Sequence, residues 1–224
     1  MSKYIQIEEM FAKEDLEKEP YKIEAFNSTY TILPGVFSPK VRKNSFWYAE
    51  KVLSILSGKS FLEIGAGSGI LAIEVAKRGL DVVATDIDDQ AIKNIKLNSD
   101  SQNIKIDIRK GDIFQPIKKG EKFDIIFWNH PWIYSEEKVE GRFCASFDYQ
   151  YESLKRFIKE GKDFLTDNGQ LLLGTGSLAR IDLITDLAKE VGYEMELKFK
   201  EKNPLSVDGN SDVEFYIYSF CNTK

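Results

Sequence analysis

From residue 60 onward the chain switches repeatedly between two periodicities. SFLEIG (60–65) is an apolar run of strand length, and GILAIEVAKRG is a helical repeat stopped by Gly79. LDVVATD (80–86) is the next strand, and DDQAIKNIKLN (88–98) is a helix with aspartates to cap it. NIKIDIRKGD (103–112) alternates like a half-buried strand, and FDIIFWN (123–129) reads as a fully buried one. Residues 150–166 have helical spacing, and the turn Thr166-Asp167-Asn168-Gly169 leads into the strand GQLLLGTG. A further helix follows over 178–191. Alternation of this kind with short loops admits one architecture: a parallel sheet with right-handed crossovers and helices on both faces. The tail departs from it. YEMELKFKEK and DVEFYIYSFC are strands joined by KNPLSVDGNS, a turn-rich loop, and predict an antiparallel hairpin at the edge of a seven-stranded, doubly wound α/β sheet.

The first part of the chain is of another kind. Residues 1–20 predict a short charged helix ending near Pro20, and 21–40 an extended segment with turns at Pro34-Gly35 and Ser38-Pro39. A helix over 44–57 follows, capped by Asn44 or Ser45, with Phe46, Ala49, Val52, Leu53 and Leu56 on one stripe. The expected organisation is a leader over 1–40 and one catalytic-size domain over 41–224. The charged start is unlike a signal peptide, and no apolar run spans a bilayer, so a cytoplasmic protein is expected. One histidine and two isolated cysteines, Cys144 and Cys221, give no metal-ligand spacing; reduced, buried thiols are the expectation. The net charge of −5, with basic residues scattered, shows no broad nucleic-acid footprint, although Lys40, Arg42 and Lys43 form a local basic cluster.

In an open parallel sheet, ligands bind at the carboxyl ends of the strands. The first such end is Gly65-Ala66-Gly67-Ser68-Gly69, where glycine permits a tight turn and close backbone approach. The spacing is G-x-G-x-G; Ile70 stands where a dinucleotide fingerprint needs its last glycine, and no Walker lysine follows. Glu63, inside the preceding strand, suits a cationic ligand rather than a phosphate. Asp86 ends the second strand, where an acid accepts from both ribose hydroxyls. Asp112 ends the third and can accept from an adenine amino group, with Ile87 and Ile113 on either side of the purine. A tight turn explains the glycines alone, and a helix cap explains Asp86 alone, although Asp88 competes for that role. Together, acids ending three successive strands are harder to explain as caps.

FLEIGAGSG, VVATDID and KGDIF resemble the cofactor motifs of class I S-adenosylmethionine-dependent methyltransferases, a Rossmann-like fold, over about residues 30–224. That resemblance implies S-adenosyl-L-methionine as cofactor, with Gly65, Ala66, Gly67 and Gly69 at its methionine part, Asp86 at the ribose and Asp112 at the adenine. ILPGVFSPK (32–40) resembles the leader of the small-domain group, which includes ribosomal RNA guanine-N2 and release-factor glutamine enzymes; Phe37, Ser38 and Pro39 are then candidates for a pocket lid. Within the superfamily, amino-methylating members carry an Asn-Pro-Pro-Tyr type motif at the end of the fourth strand. The matching residues are Asn129, His130, Pro131 and Trp132. A conjugated nitrogen is a poor nucleophile. Acceptors from the Asn129 side chain and the His130 carbonyl would draw its lone pair out of conjugation, and Trp132 would stack on the planar group. His130 departs from the usual proline and raises the possibility of an imidazole base. The simpler reading is a strand-ending turn with Trp132 in the core.

The expected activity is N-methylation of a planar amino or amide nitrogen, on a protein glutamine, an RNA or DNA base, or a small molecule. Trp128, Trp132 and Tyr134 would suit a flipped base, and residues 132–152 a peptide groove. A cofactor-binding scaffold without turnover and a small-molecule O-methyltransferase are the alternatives. Ile70 counts against a nicotinamide-dependent reductase. The expected partners exclude membranes and metals, and the expected state is a monomer or weak homodimer.

Overall fold

The computed structural model describes residues 18–42, 44–204 and 212–222. The predicted N-terminal helix, Lys43 and most of the C-terminal hairpin loop lie outside the described residues.

Seven strands form the central sheet: β3 (Ser60–Ile64), β4 (Asp81–Asp86), β5 (Asp107–Lys110), β6 (Phe123–Asn129), β9 (Leu165–Gly176), β10 (Tyr193–Pro204) and β11 (Asp212–Asn222), in the order β10-β11-β9-β6-β3-β4-β5. β3 runs parallel to β4 and β6, β4 to β5, and β6 to β9, whereas β11 is antiparallel to β9 and β10. This is the expected doubly wound α/β arrangement with its terminal hairpin. The side chains of β6 show why the strand reads as a continuous apolar run. Ile125 and Phe127 enter one core with Phe61 and Leu172, while Ile126 and Trp128 enter the other with Leu62, Leu171 and Leu173. Helices α1 (Asn44–Ser54), α2 (Ile70–Ala76) and α3 (Asp89–Ser101) cover the first face through Val52, Ala72 and Ile95. Helices α4 (Glu152–Gly161) and α5 (Ile181–Glu190) cover the second through Leu154, Phe157 and Ile184.

Several local expectations are corrected. The third core strand is only Asp107–Lys110, because α3 runs on to Ser101 and the chain then turns through Asn103 at positive φ. The turn expected at 166–169 is absorbed into β9, whose pairing with β6 is irregular at that point. The leader is a hairpin, β1 (Tyr21–Ala25) with β2 (Ser28–Ile32), closed by Phe26 and Asn27, both at positive φ as a two-residue primed turn requires. A short parallel pair, β7 (Ile133–Ser135) and β8 (Phe147–Tyr149), brackets a 3₁₀ turn over Gly141–Ala145. Both cysteines are exposed, against the expectation of buried thiols: Cys144 sits in that turn and Cys221 near the end of β11.

Two asparagines of α3 tie the leader to the body. Asn94 accepts from the Leu33 amide (2.7 Å) and donates to the Thr31 carbonyl (2.8 Å). Asn98, fully buried, accepts from the Thr31 amide (2.8 Å) and donates to the carbonyls of Thr31 and Ser68 (2.9 Å each). Ser68 lies in the glycine loop, so one side chain fixes both the leader and that loop. Asn98→Ala strands buried backbone groups in both segments and is expected to cost about 2–3 kcal/mol, read as a lower denaturation midpoint with an unchanged denaturant slope.

Candidate active site

The carboxyl ends of β3, β4 and β6 open into a cavity of about 690 Å³. Register puts them together: Ile64 is paired with both Thr85 and Trp128, so Gly65, Asp86 and Asn129 leave the sheet at one level. The leader (Gly35, Val36, Phe37, Arg42), the start of α1 (Asn44, Ser45, Tyr48) and the 141–146 turn complete the wall.

Gly65 and Gly67 take φ of +62° and +55°, a region costly for other residues. A Cβ at Gly67 would meet open space, whereas one at Gly65 would lie 3.2 Å from the Trp128 indole nitrogen. Asp86 holds the loop: its Oδ2 accepts from the Gly67 amide (2.9 Å) and its Oδ1 from the Asp88 amide (3.0 Å). Asp88 caps α3 through the Gln90 amide, so Asp86 is not the cap. Burial raises the Asp86 pKa above the usual carboxylate range. Glu63 is more extreme. It is buried, its Oε2 has no hydrogen-bond partner, and burial, helped by the nearby Asp86 charge, pushes its pKa up to about 8.

The turn after β6 is held from three sides. The His130 amide donates to the Gly174 carbonyl (3.3 Å), and the His130 Nε2 lies 2.9 Å from Thr175 Oγ1. Thr175 in turn accepts at its carbonyl from the Tyr48 hydroxyl of α1. The Tyr151 hydroxyl donates to the Trp132 carbonyl (2.7 Å) and accepts from the Arg180 amide (3.0 Å). The Trp132 indole N–H donates to Asn129 Oδ1 (3.2 Å). Indole is a donor only, so this contact fixes which end of the Asn129 amide is oxygen.

The structure redistributes the expected roles. Trp132 is buried, edge-on to Tyr48 (6.3 Å) and Phe215 (5.7 Å), with its far edge against Gly176, where a Cβ would come within 2.5 Å. Its indole N–H orients Asn129, while the residue also lines the cavity. His130 is buried, and desolvation lowers its pKa to about 3, so the ring is uncharged near neutral pH. It anchors the turn through a side chain where a proline would do so through its ring. Asp112 lines the cavity but is engaged by Arg156 of α4. Ile87 is exposed on the wall, whereas Ile113 is not on it. The chain turns sharply after β5, giving Ile113 a φ of +50°, and its side chain enters the second core. Gly69 packs against Ile95 and starts α2, and Pro39 lies buried in the leader turn; neither is on the wall. Phe37, Glu63, Gly65, Ala66, Gly67, Asp86, Ile87, Asp112 and Asn129 are all on it, together with His130, Pro131 and Trp132. Arg42 is buried on the wall, not on an exposed basic rim. Tyr48, Tyr151 and Thr175 carry no sequence signal, because each acts through a hydrogen bond to a distant segment.

The chain matches the sequence model of the methyltransferase small domain over residues 27–193. It belongs to this methyltransferase family. A Methanocaldococcus jannaschii protein provisionally assigned as a protein N5-glutamine methyltransferase is 31% identical over 177 residues, 76% of this chain and 87% of that protein. The release factor glutamine methyltransferase of Streptococcus pneumoniae is 33% identical over 129 residues, 52% of this chain and 46% of that enzyme; the match thus spans about half of it. In fold, the chain resembles the T. thermophilus 16S rRNA N2 G1207 methyltransferase solved with AdoMet and guanosine (TM-score 0.65, 20% identity, 92% of this chain, 50% of that one). It also resembles the E. cuniculi Mtq2–Trm112 complex that methylates the eRF1 termination factor (TM-score 0.61, 17% identity, 85% and 99%).

Members of this small-domain methyltransferase family use S-adenosyl-L-methionine, and the site fits it. The orphaned Glu63 oxygen suits an ammonium group, the open space over Gly67 admits a ligand, and Asp86 keeps acceptor capacity beyond its two amide bonds. Among the described residues, no helix is long and apolar enough to cross a membrane, and no group of three or more His, Cys, Asp or Glu is placed to hold a metal. Glu63 makes binding pH-dependent. Its folded pKa of about 8 leaves it mostly protonated in the free protein at pH 7, whereas an ammonium favours the ionised form. Cofactor affinity is therefore expected to rise from pH 6 to about 8 with proton release, seen as a buffer-dependent binding enthalpy in calorimetry. Glu63→Gln should abolish that release.

Proposed function

We propose that this methyltransferase modifies a planar nitrogen, and that the side-chain amide of a protein glutamine is its substrate. The observation that carries the proposal is the Asn129 carboxamide, which stands on the cavity wall with its oxygen held by the Trp132 indole. S-Adenosyl-L-methionine supplies an electrophilic methyl group on a sulfonium. The chain supplies orientation. Asn129 Oδ1 has a second lone pair for one N–H of the substrate, and the His130 carbonyl offers an acceptor for the other. Two such acceptors localise the nitrogen lone pair and aim it, the larger part of what a transfer from an already activated donor needs. With His130 buried and neutral, no base role is assigned to it.

The choice of a protein over a nucleic acid rests on charge and on relatives. Of the exposed charged residues at 136–140, three are acids, Glu136, Glu137 and Glu140, against one base, Lys138, a poor setting for a phosphate backbone. Arg42 is buried in the cavity, so it does not contribute to the exposed basic rim a nucleic acid would want. The M. jannaschii relative, matched over most of both chains, carries a glutamine assignment.

The test is incubation with methyl-labelled S-adenosylmethionine and a cell extract, followed by separation of protein, RNA, DNA and small molecules. Label is expected in protein and recovered as N5-methylglutamine. Label in a nucleobase instead overturns the glutamine reading, and no label despite cofactor binding favours a scaffold. Asn129→Ala is expected to lower turnover by about 10²-fold or more while the cofactor Kd changes less than about twofold. Thr175→Val, which unties His130, should lower turnover by roughly tenfold at unchanged cofactor affinity, and Thr175→Ser should restore it.

A further inference from the structure

The wall contains a cation and a second orphaned acceptor that the reading above leaves unused. Arg42 is 5% exposed and, among the described residues of the wall, the only cationic side chain; the other charged ones are Glu63, Asp86, Asp88 and Asp112. Its Nη1 donates to Ser146 Oγ (2.8 Å), and its guanidinium lies over the Phe37 ring at 4.4 Å. Two residues on, Asn44 is 6% exposed and its Oδ1 has no hydrogen-bond partner. Asn44 and Ser45 open α1, an eleven-residue helix with no acid in its first turn. The unpaired amides of that turn favour an anion.

The direction of α1 says which part of the ligand lies there. The Arg78 guanidinium, just past α2, donates to the Leu53 carbonyl near the end of α1 (2.9 Å). The carboxyl ends of α1 and α2 therefore adjoin. α2 begins at the glycine loop, and Ile70, Leu71, Asn44 and Ser45 all line the cavity. The start of α1 thus opens beside the glycine loop, near Glu63.

We infer that Arg42 and Asn44 complete a clamp for the α-amino-carboxylate end of the cofactor, Arg42 taking the carboxylate and Asn44 Oδ1 sharing the ammonium with Glu63. The assignment accounts for both orphaned oxygens with one zwitterion and sets its carboxylate toward a guanidinium on the same wall. Guanidinium matches the two oxygens of a carboxylate, and Phe37 beneath it fixes its plane. The inference depends on the cofactor, not on the substrate chosen above.

Calorimetric titration of the purified protein with S-adenosylmethionine and with its decarboxylated analogue, which keeps the amine and the sulfonium, tests it. The wild type is expected to prefer S-adenosylmethionine by at least about tenfold. Arg42→Met should remove most of that preference, weakening S-adenosylmethionine while leaving the analogue within about twofold. Arg42→Gln keeps a donor for Ser146 and carries the same expectation should the Met variant fail to fold. Asn44→Ala should weaken both ligands alike, since both keep the amine. Equal binding of the two ligands by the wild type, or equal losses of both in the Arg42 variants, overturns the clamp. These outcomes are independent of methyl transfer, so a wrong substrate assignment leaves them unchanged.

Discussion

Everything chemical here hangs on the point where the winding of the sheet reverses. From β3 the chain crosses outward to β4 and β5, then returns to place β6 on the other side of β3. The crossovers leaving β3 and β6 pass to opposite faces, so no helix covers the gap above their ends. Register then decides what stands at that gap. A one-residue slip of β6 against β3 would swing Asn129 to the face that carries Trp128 and His130. The alternation Ile125, Phe127 against Ile126, Trp128 makes such a slip prohibitive, because each set fills a different core. The apolar pattern of a strand that touches no ligand is what aims the polar residue at its end.

What could be read beforehand divides along the same line. Strand and helix order, the terminal hairpin, the glycine loop and β6 to the residue were legible because each has a local signature: periodicity, a breaker, or a cap such as Asp88. Misreadings came where tertiary contacts override local pattern. NIKI alternates as a strand should, yet α3 extends and leaves only Asp107–Lys110 to pair. Ile113 looked like a ligand contact by position but is turned inward by a backbone bend no composition announces. Cys144 and Cys221 looked buried by their neighbours and are exposed. Trp132 shows the limit most plainly: the residue was identified, but the packing of its ring edge depends on Gly176 leaving room beside it.

Rigidity in the Asn129 turn is distributed rather than intrinsic. A proline at position 130 would restrict the backbone by covalent geometry. Here Thr175 of β9 and Tyr151 at the start of α4 bond residues 130 and 132, and Tyr48 of α1 holds Thr175 in turn. Tyr151 accepts a positive φ to do so. Geometry that proline would set locally is therefore hostage to the packing of both faces of the sheet, and a disturbance in either layer can reach Asn129.

The imidazole that replaces proline has one more property. It is the only one in the chain, it is buried against Trp128 and Tyr151, and desolvation keeps it uncharged throughout the physiological range. Its two ring nitrogens would thus give one pair of magnetic resonance signals, insensitive to ordinary changes of pH and overlapped by no other histidine. Movement of the signals would report displacement of the loop that faces the ligand, and little else. The protein carries its own spectroscopic label, one residue from Asn129.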